Sequence, residues 1–442
     1  MAEIAIQPAT DINEFLDSFA MITHMQQGWQ YENATKTVAV LKDLGITHVR
    51  DGFVGLGHRG IEHAAQQGIK FTINIGPGTN FKTLFPRLEA WIHKYPGSIA
   101  AIEGPNEVNN WPVKYEGKTG TEGAQAFQRD LYAGVKSRPA LKDIPVVGLT
   151  SWPVFQNDSD IGNIHAYDRS GNFLSQSIVK GLKDELEANP GKKIWMTEAG
   201  YHTRLGDGNY HEGVSESVQS KMVLSMYMSA FDLGVLKTFY YQLANQYTDP
   251  KDQESYFGLV DQQWNPKPAY HSLKNMTIIL RDGGKGPAPA GSLGYALDDL
   301  PSTGRHKMFR AADGDWILAV WNEPDIWDQD RDVEIENPKA SVTLRLRKAS
   351  SSIRIFDPLL GIEPVRTLGT TDTVTFDLDD HPVFIKMRSP ADASETPVLR
   401  RTSLADAEPA PELLDGTQRD GGVTRWLSGF GRRVRAVLAF RP

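Results

Sequence analysis

The stretch SIAAIEGPNEVNN, Ser98 to Asn110, decides how the chain reads. An apolar run, Ile99-Ala-Ala-Ile102, leads into a polar cluster of Glu103, Asn106, Glu107, Asn109 and Asn110, broken by Gly104 and Pro105. A continuous apolar run bounded by turn residues is the pattern of a strand buried on both faces that ends at a rim. It places a carboxylate, Glu107, where a strand meets solvent. Far downstream, Lys193-Ile-Trp-Met-Thr-Glu198-Ala-Gly-Tyr201 ends in the same way. Two strand-end glutamates suggest paired carboxylate chemistry, provided that the fold brings them together.

Outward from that stretch the chain alternates. Strands are predicted at 18–24, 46–53, 69–75, 99–102, 144–149, 161–167, 193–198 and 235–242. Helices are predicted at 35–44, 59–67, 81–94, 121–136, 174–188, 214–233 and 266–280. Glycine closes several helices, and Pro266 lies in the first turn of the last. Helix-separated strands imply parallel pairing. Eight such units over roughly 280 residues match a (β/α)₈ TIM barrel, assigned to 1–285. Residues 153–160, between the fifth and sixth strands, are too few for a full helix and read as an irregular connection.

Gly283–Gly291 (GGKGPAPAG) reads as a linker. Beyond it, short alternating runs at 306–311, 315–321, 340–346, 352–356, 373–378 and 381–387 are separated by turn residues. They predict a small antiparallel β-sandwich domain, assigned to 292–389. Residues 390–442 are polar, acidic and proline-rich, a composition that predicts a disordered C-terminal tail. At its end Trp426, Leu427, Phe430, Val434, Val437 and Leu438 share one helical face, with Arg425, Arg432 and Arg435 opposite. A basic amphipathic helix of this kind is a candidate for contact with a membrane surface or a partner protein. Gly429 and Gly431 argue for a frayed tail instead, each costing about 1 kcal/mol of helix.

Composition narrows the function. With 442 residues and 40% hydrophobic content, the chain has a core of ordinary size. A net charge of −8 argues against nucleic acid as a partner. There is no cysteine, so disulfides, thiolate catalysis and cysteine-ligated zinc are excluded. No apolar run reaches the length of about 18 residues that a membrane span needs. The N-terminal MAEIAIQPATDINEF has neither a basic n-region nor an apolar h-region. That alone favours the cytoplasm. The expectation adopted is nonetheless a secreted or periplasmic protein with its signal peptide removed.

In such a barrel the chemistry sits at the C-terminal ends of the strands. Those ends offer His24 and Gln26, Arg50 and Asp51, Asn74, Asn106 and Glu107, Trp152, His165 and Tyr167, Glu198, and Tyr240, Tyr241 and Gln242. A lone strand-end glutamate is most often a solvated rim residue. Two, on strands four and seven that face each other across the mouth, fit an acid and a nucleophile. Arg50 favours the ionised form of a neighbouring carboxylate. Asn106 is a candidate donor to a sugar hydroxyl, and Tyr167 a partner for the nucleophile. His165 orients the acid, contacts substrate, or is a satisfied core histidine. Trp111 and Trp152 are either packing residues or stacking platforms. Glu103 lies before the Gly-Pro break and lacks an adjoining Asn, so a substrate contact is its remaining candidate role. Gly76-Pro-Gly78 lacks the spacing and lysine of a phosphate loop and reads as a tight turn. His202 and His211 have no clustered partners, so no metal site is assigned.

These residues resemble the clan A glycoside hydrolases, retaining (β/α)₈ enzymes with the acid/base on strand four and the nucleophile on strand seven. Gly104-Pro-Asn-Glu107 is similar to the clan's Asn-Glu motif, which implies Glu107 as acid/base. Trp195-Met-Thr-Glu198-Ala-Gly is similar to its nucleophile motif, which implies Glu198. Arg50 matches the strand-two arginine, and His165-Ala-Tyr167 the strand-six pair. Tyr256-Phe-Gly-Leu-Val and Asn265-Pro-Lys-Pro-Ala-Tyr270 resemble the passage from strand eight to helix eight. The following β-sandwich makes family 39 and its relatives the nearest likeness. One departure stands out: many members end strand eight in tryptophan, whereas this chain reads Phe239-Tyr-Tyr-Gln-Leu243. Tyr241 or Gln242 is then expected to meet the sugar.

The expectation is a retaining glycoside hydrolase acting on an oligo- or polysaccharide, with no metal or organic cofactor. Two rivals use the same fold: a catalytically silent polysaccharide-binding barrel of an export or synthesis assembly, and a transglycosylase. An aldolase would want a strand-end lysine, and no convincing one is present.

Overall fold

The computed structural model of the protein describes residues 2–206, 210–281 and 286–388. The expected tail disorder and the basic amphipathic helix fall outside the described residues. Eight parallel strands close into a barrel. In chain order they are Phe19–Ile22, His48–Gly52, Lys70–Asn74, Ile99–Glu103, Val146–Val147, Ile161–His165, Lys193–Ala199 and Val235–Tyr240. They are called here barrel strands one to eight. Each pairs with the next, and the eighth pairs with the first through Thr238, Phe239 and Tyr240.

Helices Ala34–Asp43, Arg59–Gln66, Phe81–Lys94, Gly120–Lys136, Ser175–Ala188, Glu216–Asp232 and Pro268–Leu280 form the crossovers. Their starts follow local chemistry. The side chains of Asn33, Asn80 and Ser215 accept from the backbone N–H groups of Lys36, Lys82 and Val218, satisfying donors the first helical turn leaves open. No helix joins strands five and six, as expected. Side chains hold that connection instead. Lys192 Nζ donates to Asn157 O and Ser159 Oγ, both at 2.7 Å, and the Asn157 N–H donates to Asn189 Oδ1 at 2.9 Å. Strand five is shorter than its sequence run, and the Val146 N–H within it donates to Asp160 Oδ2 at 2.7 Å.

Ala20, Ile22, Ala101, Val147, Trp195 and Phe239 fill the barrel interior. Gly104 follows strand four where a Cβ would lie 2.0 Å from Gln128 Oε1 and 2.9 Å from the Leu149 nitrogen. Only glycine lets the neighbouring helix and the end of strand five come that close.

Two antiparallel sheets form the sandwich. One holds Ala5–Pro8, Ser292–Asp298, Ala340–Ser350 and Thr371–Leu378; the other holds Thr10–Asp11, Gly304–Arg310, Trp316–Asn322, Val383–Met387, Ile353–Phe356 and Arg366–Leu368. Within the second sheet Thr10–Asp11 pairs in parallel with Gly304–Arg310. Alternation is plain in Ala340–Ser350, where Val342, Leu344 and Leu346 are buried. Residues 5–11 were expected in the barrel and instead pair with sandwich strands. Four-residue Ala5–Pro8 carries too little alternation to be read as a strand by itself. Among the described residues no helix is long and apolar enough to cross a membrane.

A buried charge cluster ties sandwich to barrel. His381 Nε2 lies 3.1 Å from Asp357 Oδ1, and its Nδ1 lies 3.5 Å from Asp380 Oδ1. Asp380 also receives Lys221 Nζ, from helix Glu216–Asp232, at 2.9 Å. Burial disfavours the imidazolium, but the two carboxylates outweigh it and raise His381 from 6.5 to about 9. A folded-state value above the unfolded one stabilises fully below the unfolded value and loses its effect as pH rises through the folded value. The cluster should therefore contribute up to about 3 kcal/mol near pH 6, lost by about pH 10. Thermal melts across that range should fall for the native protein, and His381→Gln should remove most of the fall. An identical pH slope in both proteins would refute the linkage.

Candidate active site

Side chains alternate along a strand, so every second residue points into the barrel. His48 and Arg50 of strand two follow this rule, as do Ala101 and Glu103 of strand four and Asn163 and His165 of strand six. Above the apolar interior they build a polar floor. Arg50 Nε and Nη2 donate to the two oxygens of Glu103 at 2.7 and 2.8 Å. Arg50 Nη1 donates to Glu198 Oε2 at 3.0 Å, and Nη2 also reaches Asn106 Oδ1 at 2.6 Å. Burial opposes the charge on Arg50, and Glu103 outweighs it, with Glu198 adding to the effect, so the guanidinium is held above its ordinary value. Glu103 has no exposed surface and also accepts from Asn163 Nδ2 at 3.3 Å and Thr197 Oγ1 at 3.1 Å. This corrects the substrate-contact role considered for Glu103, which belongs to the floor.

Strand seven departs from strict alternation. Met196 pairs with Ile164, but Glu198 pairs with His165, so Thr197 is an extra residue. Such a bulge re-aims side chains. Thr197 and Glu198, adjacent in sequence, consequently both reach inward. Glu198 Oε1 accepts from Tyr167 Oη at 2.8 Å. The Tyr167 ring stacks on His211, centroids 4.7 Å apart. Burial first, and then Arg169, lower His211 to about 4, so it is neutral at pH 7.

Glu107 lies four residues past the end of strand four, with a left-handed φ of 40°. That conformation is costly for a residue with a side chain and persists only where its surroundings enforce it. Here the Glu107 N–H donates to Thr150 Oγ1 at 2.9 Å, and its carbonyl accepts from Asn110 and Trp111 N–H at 2.8 and 2.9 Å. Its carboxylate meets His165 Nδ1 at 3.1 Å through Oε1, and accepts from Asn110 Nδ2 at 3.1 Å through Oε2. One oxygen each of Glu107 and Glu198, with a ring nitrogen of His165, lie within 4.8 Å of one another. By spacing alone the three offer a cation triad. Arg50 against Glu198 already supplies positive charge there, and a hydrogen-bonded pair of carboxylates fits the surroundings better. Burial pushes the Glu107 carboxyl up, but its hydrogen bond and electrostatic contact with His165 outweigh that, with Asn110 and Arg50 assisting, and hold it below the carboxylate range.

The structure thus gathers Arg50, Asn106, Glu107, His165, Tyr167 and Glu198. The rim residues differ. Trp152 is 57% exposed, and Lys180 Nζ sits 3.5 Å from its ring centre. Trp111 is half-buried where the Glu107 turn ends. Tyr241 is partly buried and donates through Oη to Glu254 Oε2. Gln242 is a correction: it is fully buried, accepting from Tyr31 Oη at 3.1 Å, and exposes no atom to a ligand. Asn163, Thr197 and Glu254 were not singled out from sequence; Asn110 was noted only as part of the polar cluster, and His211 was weighed only as a metal ligand and set aside. Asn163 was within reach, two residues before His165 on the same face. Burial raises Glu254, a fourth carboxyl near this cluster, to about 7.

No family model and no curated protein matches the chain. Solved structures do resemble it. A family 39 glycoside hydrolase from the gut symbiont Bacteroides cellulosilyticus WH2 is 13% identical, with a TM-score of 0.58 over 86% of this chain and 82% of that one. A monomeric β-xylosidase from Caulobacter crescentus CB15 is 14% identical, with a TM-score of 0.55 over 88% of this chain and 100% of that one. A GH39 enzyme from Xanthomonas axonopodis pv. citri is 13% identical, with a TM-score of 0.50 over 88% and 97%. At such identities the likeness establishes a shared fold, barrel and sandwich together.

Removing one partner of a buried ion pair strands the other charge, at about 3–5 kcal/mol. Arg50→Ala should therefore destabilise the protein by about that much in urea unfolding, and adding Glu103→Gln should recover part of the loss. A cost for Arg50→Ala below about 1 kcal/mol would show that the floor does not depend on the pair.

Proposed function

We propose that the protein is a retaining glycoside hydrolase acting on a β-linked oligo- or polysaccharide. The observation that carries this reading is the approach of Glu107 and Glu198 oxygens to within 4.8 Å across the barrel mouth. Carboxyl groups about 5–5.5 Å apart suit direct attack on the anomeric carbon, whereas inversion leaves about 6.5–9.5 Å for a water. The surroundings divide the labour. Glu198 accepts from both Arg50 and Tyr167, the setting that suits a nucleophile. Glu107 has no such fixed cation beside it: its carboxylate meets the imidazole of His165 at 3.1 Å and accepts from Asn110 Nδ2.

In the first step Glu107 gives a proton to the glycosidic oxygen while Glu198 attacks the anomeric carbon. The carbon–oxygen bond breaks, its electron pair leaves on the departing alcohol, and a glycosyl–Glu198 ester remains. In the second step Glu107 takes a proton from water, which attacks the same carbon and frees Glu198. Asn106, its oxygen committed to Arg50, presents amide N–H groups to a sugar hydroxyl beside the reacting carbon. The shared fold of enzymes described as family 39 glycoside hydrolases and a β-xylosidase supports a carbohydrate substrate. The intact carboxylate pair speaks against a silent binding barrel.

On an oligosaccharide released by the native protein, Glu198→Gln should lower kcat by on the order of 10³ or more, because the ester cannot form. Glu107→Gln should lose about 10²–10⁴ on natural leaving groups and much less on a dinitrophenyl glycoside, which needs no proton. NMR of the first-formed product should show the starting anomeric configuration. Inversion, or a Glu198→Gln protein with native turnover, would sink the assignment.

A further inference from the structure

We infer that Glu107 and His165 share one proton, which rests on His165 Nδ1 while the site is open, so that the pair rather than Glu107 alone is the acid/base. This rests on the reading of Glu107 as the proton donor, and it follows from counting hydrogens. Asn163 Nδ2 faces two acceptors, Glu103 Oε1 at 3.3 Å and Gly148 O at 3.0 Å, which fixes that amide's orientation. Its Oδ1 therefore faces Thr197 Oγ1, 2.8 Å away. The hydroxyl's other oxygen neighbour is the carboxylate of Glu103, with Oε1 at 3.1 Å. Both are acceptors, and a hydroxyl has one proton to give. Towards His165 Nε2, at 3.1 Å, Thr197 can then only accept, so Nε2 carries a hydrogen.

The other ring nitrogen has two states. If Nδ1 also carries hydrogen, it donates to an ionised Glu107 at 3.1 Å. If it is bare, Glu107 must carry the proton and donate to it. With no proton between them, two lone pairs would face each other in a mostly buried contact, at the cost of an unmade hydrogen bond. The contact thus holds one proton under either assignment.

Charge supports the same count and the same resting place. The groups facing His165 are Glu107 from the turn after strand four, Glu198 and Thr197 from strand seven, and Glu103 and Arg50 below. Tyr167 and its stacked His211 stand behind Glu198. Tyr167 is held above its ordinary value, chiefly by burial, and stays neutral. Three carboxylates thus meet one guanidinium. A further proton relieves that excess, and His165, 3.1 Å from Glu107 and 3.9 Å from Glu198, is the base placed between two of them. The pair then titrates as a unit, at values belonging to neither residue alone.

The test reads the resting protein by ¹⁵N NMR of histidine-labelled whole chain without substrate, assigned with His165→Asn. Both His165 nitrogens should be protonated at neutral pH, and Glu107→Gln should leave only Nε2 protonated. A bare Nδ1 in the native protein at neutral pH, or a His165 titration unchanged by Glu107→Gln, would overturn the inference. Kinetics give a second readout. In His165→Asn the alkaline limb of kcat/KM should move at least tenfold in proton concentration towards acid for sugar leaving groups, and the rate loss should be at least tenfold smaller on a dinitrophenyl glycoside. Equal losses on both substrates with an unmoved limb would reduce His165 to a packing role and also overturn it. A protein with the expected nitrogen signals that cleaves no glycoside would instead overturn the proposed function alone.

Discussion

The ion pair between Arg50 and Glu103 is what the site depends on. A guanidinium and a carboxylate removed from water each lose several kcal/mol of hydration, and the pair survives only if geometry and extra hydrogen bonds offset that loss. Both conditions are met. The contact uses both oxygens of Glu103, and Asn163 and Thr197 satisfy the lone pairs that remain. Once fixed, the guanidinium has donors left over, and these reach Glu198 and Asn106. One rigid cation in the floor thereby sets the position of a side chain from strand seven and another from the turn after strand four. A lysine would not replace it, because the fork of donors, not the charge alone, does the positioning.

The barrel is held from outside as well. Helix Glu216–Asp232, which follows the strand carrying Glu198, buries residues around most of its circumference. A helix buried all round, with polar Ser229 and Lys221 among its residues, needs partners on its outer side. The sandwich supplies it: Trp321 Nε1 donates to Ser229 Oγ at 2.9 Å, Ser229 donates to Glu323 Oε1 at 2.6 Å, and Lys221 reaches Asp380 and Glu334. The chain also begins in the sandwich, at Ala5–Pro8, before entering the barrel. Two crossings between barrel and sandwich, with a packed helix between them, resist hinge motion that one linker would allow. Glu198 is thus fixed at its floor by Arg50 and through its own helix by the sandwich.

How much was legible in the sequence depended on whether the deciding feature was local. Strand and helix order followed from apolar runs and glycine stops; Phe81–Lys94 came out as read, and Ile99–Glu103 runs one residue beyond its apolar stretch. Arg50, Glu107, His165, Tyr167 and Glu198 were legible because barrel geometry sends strand ends to one place. Gln242 was misread for the same reason: it follows strand eight, but its side chain turns to Tyr31, a partner 211 positions away. Thr197 was invisible because strict alternation points it away from wherever Glu198 points, and only the register shift reconciles them. Glu103 looked like a rim residue beside a Gly-Pro break. Its burial is set by Arg50, a pairing no local pattern announces. Ala5–Pro8 failed for want of length, since four residues carry no period.

The two carboxylates differ in how they answer the loss of water. Glu198 has a permanent cation 3.0 Å away, so desolvation strengthens that contact. The charge opposite Glu107 is different, because in the proposed arrangement it is a proton on His165 that can cross the contact. Glu107 is 30% exposed in the open site, which favours the charge-separated form. A sugar filling the mouth removes that water. Separated charges then become costlier, while a neutral carboxylic acid beside a neutral imidazole loses little. In the proposed reaction the proton moves onto Glu107 as the glycosidic oxygen arrives, and the acid forms when there is something to protonate. Donation to the leaving group returns Glu107 to its anionic form, ready to draw a proton from water. A single carboxyl with a fixed pKa would have to compromise between these two states. A carboxyl paired with an imidazole need not, because the water content of the mouth shifts the balance between them.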